Sequence, residues 1–361
     1  MYPNFYLSFV LSKEKNNLNL VRLLAAMAVI YGHSFGLIPN PAGLDIIYHI
    51  TGVYAAEWGV KTFFFLSGLL VVNSILSDRN VYSYMIKRVM RIWPALIFVV
   101  IGTVFIIGPI NTQLPLNEYF SNTDLYFYIK SILTFDIFGK NNIGLPGIFE
   151  HNPFPVAVNA PLWTISIEVF AYVVILALYL IGAFNQRFAL IVFLVFLVDS
   201  LLPERLIFWW MPRDDFNLGA IPFCFALGGL LAVCKDQVRI DFSVVFGFVV
   251  LALLFRGGEY HKYLVYTTMF MLMLYFSALP VIVRLPKIPD ISYGVYLWGW
   301  PVQQTMVNFF PTMNYWGNLL VTYVTVCVLA LISWFLVEKP SIRLGRYWSD
   351  YFRKRVSISN T

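Results

Sequence analysis

The chain has 361 residues, of which 59% are hydrophobic, 18% aromatic and only 12% charged, with a formal net charge of +6. Ordinary soluble domains carry about twice that charged fraction, so the composition excludes a water-soluble globular protein. The placement of the basic residues sets nucleic acid aside as a partner, as the topology below makes clear.

The stretch Met1–Asn17 is mixed and polar. Apolar runs then follow near 18–38, 56–76, 92–110, 161–182, 187–202, 217–234, 240–256, 262–283, 288–308 and 315–337. Each is about the length that carries a helix across a hydrocarbon core. The first run contains Arg22 and lacks a small-residue cleavage site, which predicts a retained span rather than a signal peptide. The stretch 118–138 is interrupted by Asp124, Lys130 and Asp136. It predicts an interfacial or re-entrant helix rather than an eleventh crossing. The fifth run is short and contains Asp199. Cys224, Cys234 and Cys327 sit in apolar runs without a CxxC pair or a histidine at ligand spacing. They read as buried hydrophobes, with no metal site and no disulfide. No internal repeat or low-complexity linker divides the chain. The expected fold is an all-α polytopic membrane protein of about ten transmembrane helices, with a membrane domain over 1–340 and a short basic cytoplasmic tail over 341–361.

The lysines and arginines orient this topology. With the N-terminus in the cytoplasm, seventeen of the 25, Lys13 among them, fall on the cytoplasmic side. Six, including Lys140, fall outside, and Arg22 and Lys61 lie within spans. That asymmetry follows the positive-inside rule and predicts that both termini are cytoplasmic.

Ionisable groups inside a membrane are costly and point to function. Arg22 and His33 are eleven residues apart in the first run. That is about three turns and about 16 Å, so they share a helix face. In the expected topology His33, Lys61 and Glu168 each fall about 7–11 Å below the outer boundary. A histidine can take a proton from a hydroxyl, and a carboxylate can orient it, which is the pairing that activates an alcohol for acyl transfer. The competing arrangement pairs Glu168 with Lys61 and leaves His33 on a backbone carbonyl. Arg88 and Arg91, at i and i+3 in KRVMRIWP, share a face. Their spacing alone suits a headgroup anchor better than a phosphate site.

Six segments together resemble one family. NLVRLLAAMAVIYGH carries an Arg–ten residues–His signature on Arg22 and His33, and GVKTFFFLSGLLV a second-span motif ending in Ser67-Gly68. KRVMRIWP resembles an Arg-x-x-Arg motif, and APLWTISIEVFAY a fourth-span motif with Trp163 and Glu168. ISYGVYLWGWP resembles the ninth-span motif with Ser292, Tyr293 and Tyr296, and VEKPSIRLG the exit from the last span. The chain thus resembles, over nearly its whole length, the acyltransferase-3 family of membrane-bound O-acyltransferases that modify bacterial surface glycans.

The resemblance implies acetyl-CoA from the cytoplasm as donor, with no bound cofactor. The acceptor would be a sugar hydroxyl of a cell-surface polysaccharide (O-antigen, capsule or exopolysaccharide) or its lipid-linked precursor. The protein would sit in the inner membrane among lipid, without nucleic acid. His33 would be essential to transfer, as general base or transient acyl carrier, with Glu168 orienting it. Arg22, Arg88 and Arg91 would hold the donor phosphates. Lys61, Ser67, Trp163, Ser292, Tyr293 and Tyr296 would support the site or the acceptor. The chain departs from many relatives at Gly299, where they carry histidine, and at Lys61, where they carry an acidic or neutral polar residue. Its end 23 residues after Glu338 also predicts no appended extracellular domain. Alternatives are a proton-coupled transporter, a transferase of another acyl group such as succinyl, and a non-catalytic subunit of a glycan-assembly complex.

Overall fold

The structure, a computed structural model, describes residues 5–12, 14–38, 45–136 and 144–359. Lys13, Lys140 and the last two residues of the 118–138 stretch lie outside the described residues. The fold is almost wholly helical. Among the described residues the single sheet pairs Phe5–Tyr6 antiparallel with Arg239–Ile240.

Each of the ten apolar runs contains a helix. In chain order these are α1 (Leu18–Leu37), α2 (Ala55–Asp78), α3 (Val81–Gly102), α4 (Trp163–Leu180) and α5 (Gln186–Leu201). There follow α6 (Ile221–Val233), α7 (Phe242–Leu254), α8 (His261–Ala278), α9 (Ser292–Phe309) and α10 (Tyr315–Ser333); a further helix, α11 (Lys339–Ser359), lies beyond the tenth run. By length and composition, five helical stretches among the described residues suffice to cross a membrane: Leu18–Leu37, Ala55–Asp78, Val81–Asn111, Ala160–Leu180 and Tyr315–Arg353. α6 and α7 are apolar but have 13 residues each, a length of about 20 Å.

Local chemistry explains where several helices begin and end. α3 starts well before the apolar run because the Asn80 side chain caps it, accepting from the Ser83 N–H at 2.9 Å. The helix continues through a π turn at Thr103–Ile107, where the Gly108 N–H bonds the Thr103 carbonyl. Residue 109 is proline and has no N–H, so the Val104 carbonyl loses both helical donors. The Tyr119 hydroxyl donates to it at 2.8 Å. That bond fixes the short helix Leu116–Ser121 against this helix. The 118–138 stretch is therefore broken into Leu116–Ser121 and Asp124–Leu133, each too short to cross. α8 stops at Leu279 (φ −60°, ψ 135°), held extended by the following Pro280.

The chain forms two compact units. The first comprises Met1–Ala25, Ile46–Arg79 and Tyr172–Pro289. Its seam is the packing of α2 on α6. Gly68 lies against the Phe225 carbonyl and Gly228 against the Phe65 carbonyl, so a Cβ at either position would overlap backbone. Small residues let helix backbones approach in this way where no water drives them together. Phe65 and Phe270 stack with centroids 4.1 Å apart, adding α8 to the seam. The α5–α6 connection is organised by two buried charges. Asp199 accepts from the Leu206, Ile207 and Phe208 N–H groups at 2.8, 3.1 and 3.1 Å. Arg205 donates to the carbonyls of Met211, Ser200 and Gly219 at 2.5, 2.7 and 2.6 Å. The acid in the short fifth run is thus a loop anchor at the end of α5.

The second unit comprises Ala26–Asp45, Asn80–Ala171 and Asp290–Thr361. α10 passes through a π turn at Trp334–Glu338 directly into α11. α11, the segment expected as a tail, packs antiparallel on the start of α3. Ser83 and Ser349 share a hydroxyl hydrogen bond of 2.6 Å, Tyr82 stacks on Phe352 at 5.7 Å, and Gly345 rests on Met90.

A candidate active site along helix α9

α9 carries polar and aromatic side chains into the second unit, and its residues from Ser292 to Gln304 are buried apart from Tyr293. It also contains Pro301, which denies the Leu297 carbonyl its helical donor. The Asn159 amide donates to that carbonyl at 2.9 Å. The segment preceding α4 is bound to the same stretch. Asn152 donates to the Gln304 side-chain oxygen at 2.8 Å, and the Gln304 amide donates to the Phe154 and Ala157 carbonyls at 2.7 and 3.0 Å. These bonds hold a polar strand of side chains along α9, with three stations on it.

The first station surrounds Arg91. Its guanidinium reaches Asp290 at 2.9 Å and Glu338 at 3.9 Å, and lies 5.7 Å from the Tyr293 ring centre. Ser292 donates to the other Asp290 oxygen at 2.8 Å, and Ser333 donates to Glu338 at 3.1 Å. Glu338 is 2% exposed and is carried to this point by the π turn between α10 and α11. Tyr293 donates to the Ile92 carbonyl at 3.4 Å. Arg88, one turn earlier on α3, is part-buried near Tyr84.

At the second station Tyr296 meets the start of α4. Its hydroxyl donates to the Pro161 carbonyl at 2.7 Å and lies 2.6 Å from the Thr164 hydroxyl. Glu168, one turn further along α4, is within electrostatic reach of Tyr296. Trp163 opens α4 and is part-buried.

The third station holds His33. Its ring meets Trp300 edge to face, with centroids 5.0 Å apart at 85°. Trp300 is itself fixed by donation to the Ala157 carbonyl at 2.7 Å and by Phe154 at 5.5 Å. The surrounding part of α1 is clamped from both sides. Gln303 donates to the Ile30 carbonyl at 2.8 Å, Tyr323 donates to the Met27 carbonyl at 3.0 Å, and Ser34 bonds the Tyr315 hydroxyl at 2.7 Å. Gly299 faces Ile30, and a Cβ there would come within 2.9 Å of that side chain. Among the described residues no hydrogen bond joins His33 to Glu168. From Tyr293 at the first station to Trp300 at the third, α9 rises about 10 Å.

The other expected residues lie in the first unit. Arg22 is part-buried on α1, on the same helix as His33. Lys61 is 1% exposed and donates to the Asn217 carbonyl at 2.5 Å. Glu57, one turn away, is engaged by Lys262 at 2.6 Å and by the Tyr266 hydroxyl at 2.5 Å. Ser67 donates to the Tyr172 hydroxyl at 3.3 Å, next to the Gly68 seam. So Ser292, Tyr293 and Arg91 come together, and Tyr296 joins the fourth-span motif.

Sequence reasoning missed Asp290, Glu338, Asn159, Trp300, Gln303 and Gln304. A signal existed for the glutamines, which are a polar pair inside an apolar run. Asp290 stands two residues before the Ser292 motif. Asn159 had no such signal, since its role depends on a proline far away in the chain.

Residues 15–339 match the acyltransferase-3 family, which is described as an acyltransferase domain. The chain belongs to this family. It is 28% identical over 335 residues to an O-acetyl transferase of Shigella phage Sf6, covering 90% of this chain and 96% of the phage protein. It is 23% identical over 386 residues to nodulation protein 10 of Rhizobium leguminosarum bv. viciae, covering 96% and 98%. A longer Bacillus subtilis (strain 168) protein, provisionally named a peptidoglycan O-acetyltransferase, is 24% identical over 368 residues, covering 87% of this chain and 54% of its own length. No solved structure matches the chain. Family and relatives together make this acyltransferase-3 chain an acyltransferase and support O-acetyl transfer.

Proposed function

We propose that the protein transfers acetyl from cytoplasmic acetyl-CoA to a sugar hydroxyl of a cell-surface polysaccharide or its lipid-linked precursor. It would do so from the inner membrane, through ten spans with both termini cytoplasmic, an orientation that the charge asymmetry supports. The observation that carries this reading is His33. The imidazole is set by Trp300 on a clamped helix, without a bond to Glu168 among the described residues, in a chain of this family.

In the proposed reaction His33 takes the proton of the acceptor hydroxyl as its oxygen attacks the thioester carbonyl. The carbon–sulfur bond breaks, and the proton passes to the departing CoA thiolate. Glu168 acts on the charged imidazole over distance, or through Tyr296 and Thr164. Arg22 and Arg88 serve as donor-phosphate ligands. Arg91 shares that role while Asp290 and Glu338 hold its guanidinium in place. Two carboxylates against one guanidinium make the Arg91 station a weak anion site by itself.

The test uses purified protein in detergent, labelled acetyl-CoA and isolated surface glycan, with mass spectrometry of the product. His33→Ala is expected to lower transfer about 10²- to 10⁴-fold with thermal unfolding unchanged. Undiminished transfer by that variant overturns the mechanism.

A further inference from the structure

α11 has three distinct faces. Gly345, Ser349 and Phe352 meet α3. Leu344, Tyr347, Trp348 and Tyr351 fall at i, i+3, i+4 and i+7, which is one helical face, and are 48%, 65%, 40% and 37% exposed. Arg343, Arg346 and Arg353 fall at i, i+3 and i+10 on the adjoining face and are exposed too. The one acid among them, Asp350, lies 4.0 Å from Arg353.

Length decides where this helix meets the membrane. α10 and its π turn run from Tyr315 to Glu338. That distance, about 36 Å, already exceeds a hydrocarbon core of about 30 Å. Lys339 therefore begins a segment outside the core, on the reading that the chain spans a membrane. An aromatic arc beside a basic arc is what a helix in the headgroup layer presents. The partner α3 adds an exposed Tyr82.

The geometry points to α11 as a docking surface for the anionic phospholipid headgroups of the cytoplasmic leaflet. Arg343, Arg346 and Arg353 meet lipid phosphates, and Tyr347, Trp348 and Tyr351 lie at the level of the glycerol backbone. The charge complementarity is direct: three exposed guanidiniums on one arc face a negatively charged surface. Docking there would brace α3, and with it Arg91.

Full-length protein in nanodiscs tests this. Lipid brominated near the headgroup quenches tryptophans at that depth, and the signal of Trp348 is the difference between the chain and Trp348→Phe. In discs containing phosphatidylglycerol, quenching of Trp348 is expected to be several-fold stronger than in discs of phosphatidylcholine alone. It should fall to the neutral-disc level in Arg343→Gln/Arg346→Gln/Arg353→Gln, and survive in the corresponding triple lysine variant. Equal quenching in both kinds of disc overturns the proposal. So does a triple glutamine variant that loses acetyl-CoA affinity while its quenching is unchanged, because the basic arc would then belong to the donor. Acetyl transfer is not the readout, so failure of the enzymatic reading would leave this result standing.

Discussion

The two units use buried charge differently. In the first, charges are answered mostly by backbone: Lys61 by the Asn217 carbonyl, Arg205 by three carbonyls, Asp199 by three N–H groups. In the second, Arg91 is answered by the side chains of Asp290 and Glu338, and His33 is held by ring packing. A charge closed by backbone is committed to the fold, because moving it leaves several polar groups unsatisfied. A group held by packing keeps its nitrogens for substrate. An ionisable residue inside a membrane is thus a functional signal only after its partners are known.

The contrast can be broken in four places. Arg205→Met should destabilise the fold strongly, since it strips donors from three carbonyls. A loss of about 3 kcal/mol or more is expected, read as a drop in thermal unfolding temperature in detergent. Gly228→Leu should abolish the α2–α6 seam, and little folded protein should survive size-exclusion chromatography. Asp290→Asn should leave the protein folded and lower KM for acetyl-CoA about tenfold, about 1.4 kcal/mol, by removing one of the two carboxylates that oppose anion binding at Arg91. Asn159→Ala should be mildest, costing about 1 kcal/mol for the uncovered Leu297 carbonyl. An Arg205→Met protein with native stability, or an Asp290→Asn protein with native KM, would erase the distinction between the units.

Much of this was readable in the amino-acid order. Apolar runs located a helix in every case, because a span must be continuously apolar. They misplaced ends where the helix leaves the apolar stretch. Val81–Arg91 is amphipathic and begins at an Asn80 cap, and α11 is too polar for hydropathy to register. Ser292, Tyr293 and Arg91 were each legible as motif residues, but their meeting was not. That meeting runs through Asp290, which holds both Arg91 and Ser292. Ser67-Gly68 was legible as a motif, whereas its packing role required Phe225 and Gly228 opposite. Lys61 read from sequence as a support for the site or the acceptor. Its partner proved to be a loop carbonyl, and loop paths are not encoded in periodicity.

The most direct measurement compares His33→Ala with Lys61→Met in one assay, acetyl transfer from acetyl-CoA to isolated glycan per mole of folded protein. The account predicts a loss of about 10²-fold or more for His33→Ala with unfolding temperature unchanged. For Lys61→Met it predicts a lowered unfolding temperature and transfer within about threefold of the parent, under 1 kcal/mol of barrier. The reverse pattern, with His33→Ala active and Lys61→Met folded but inert, would contradict it.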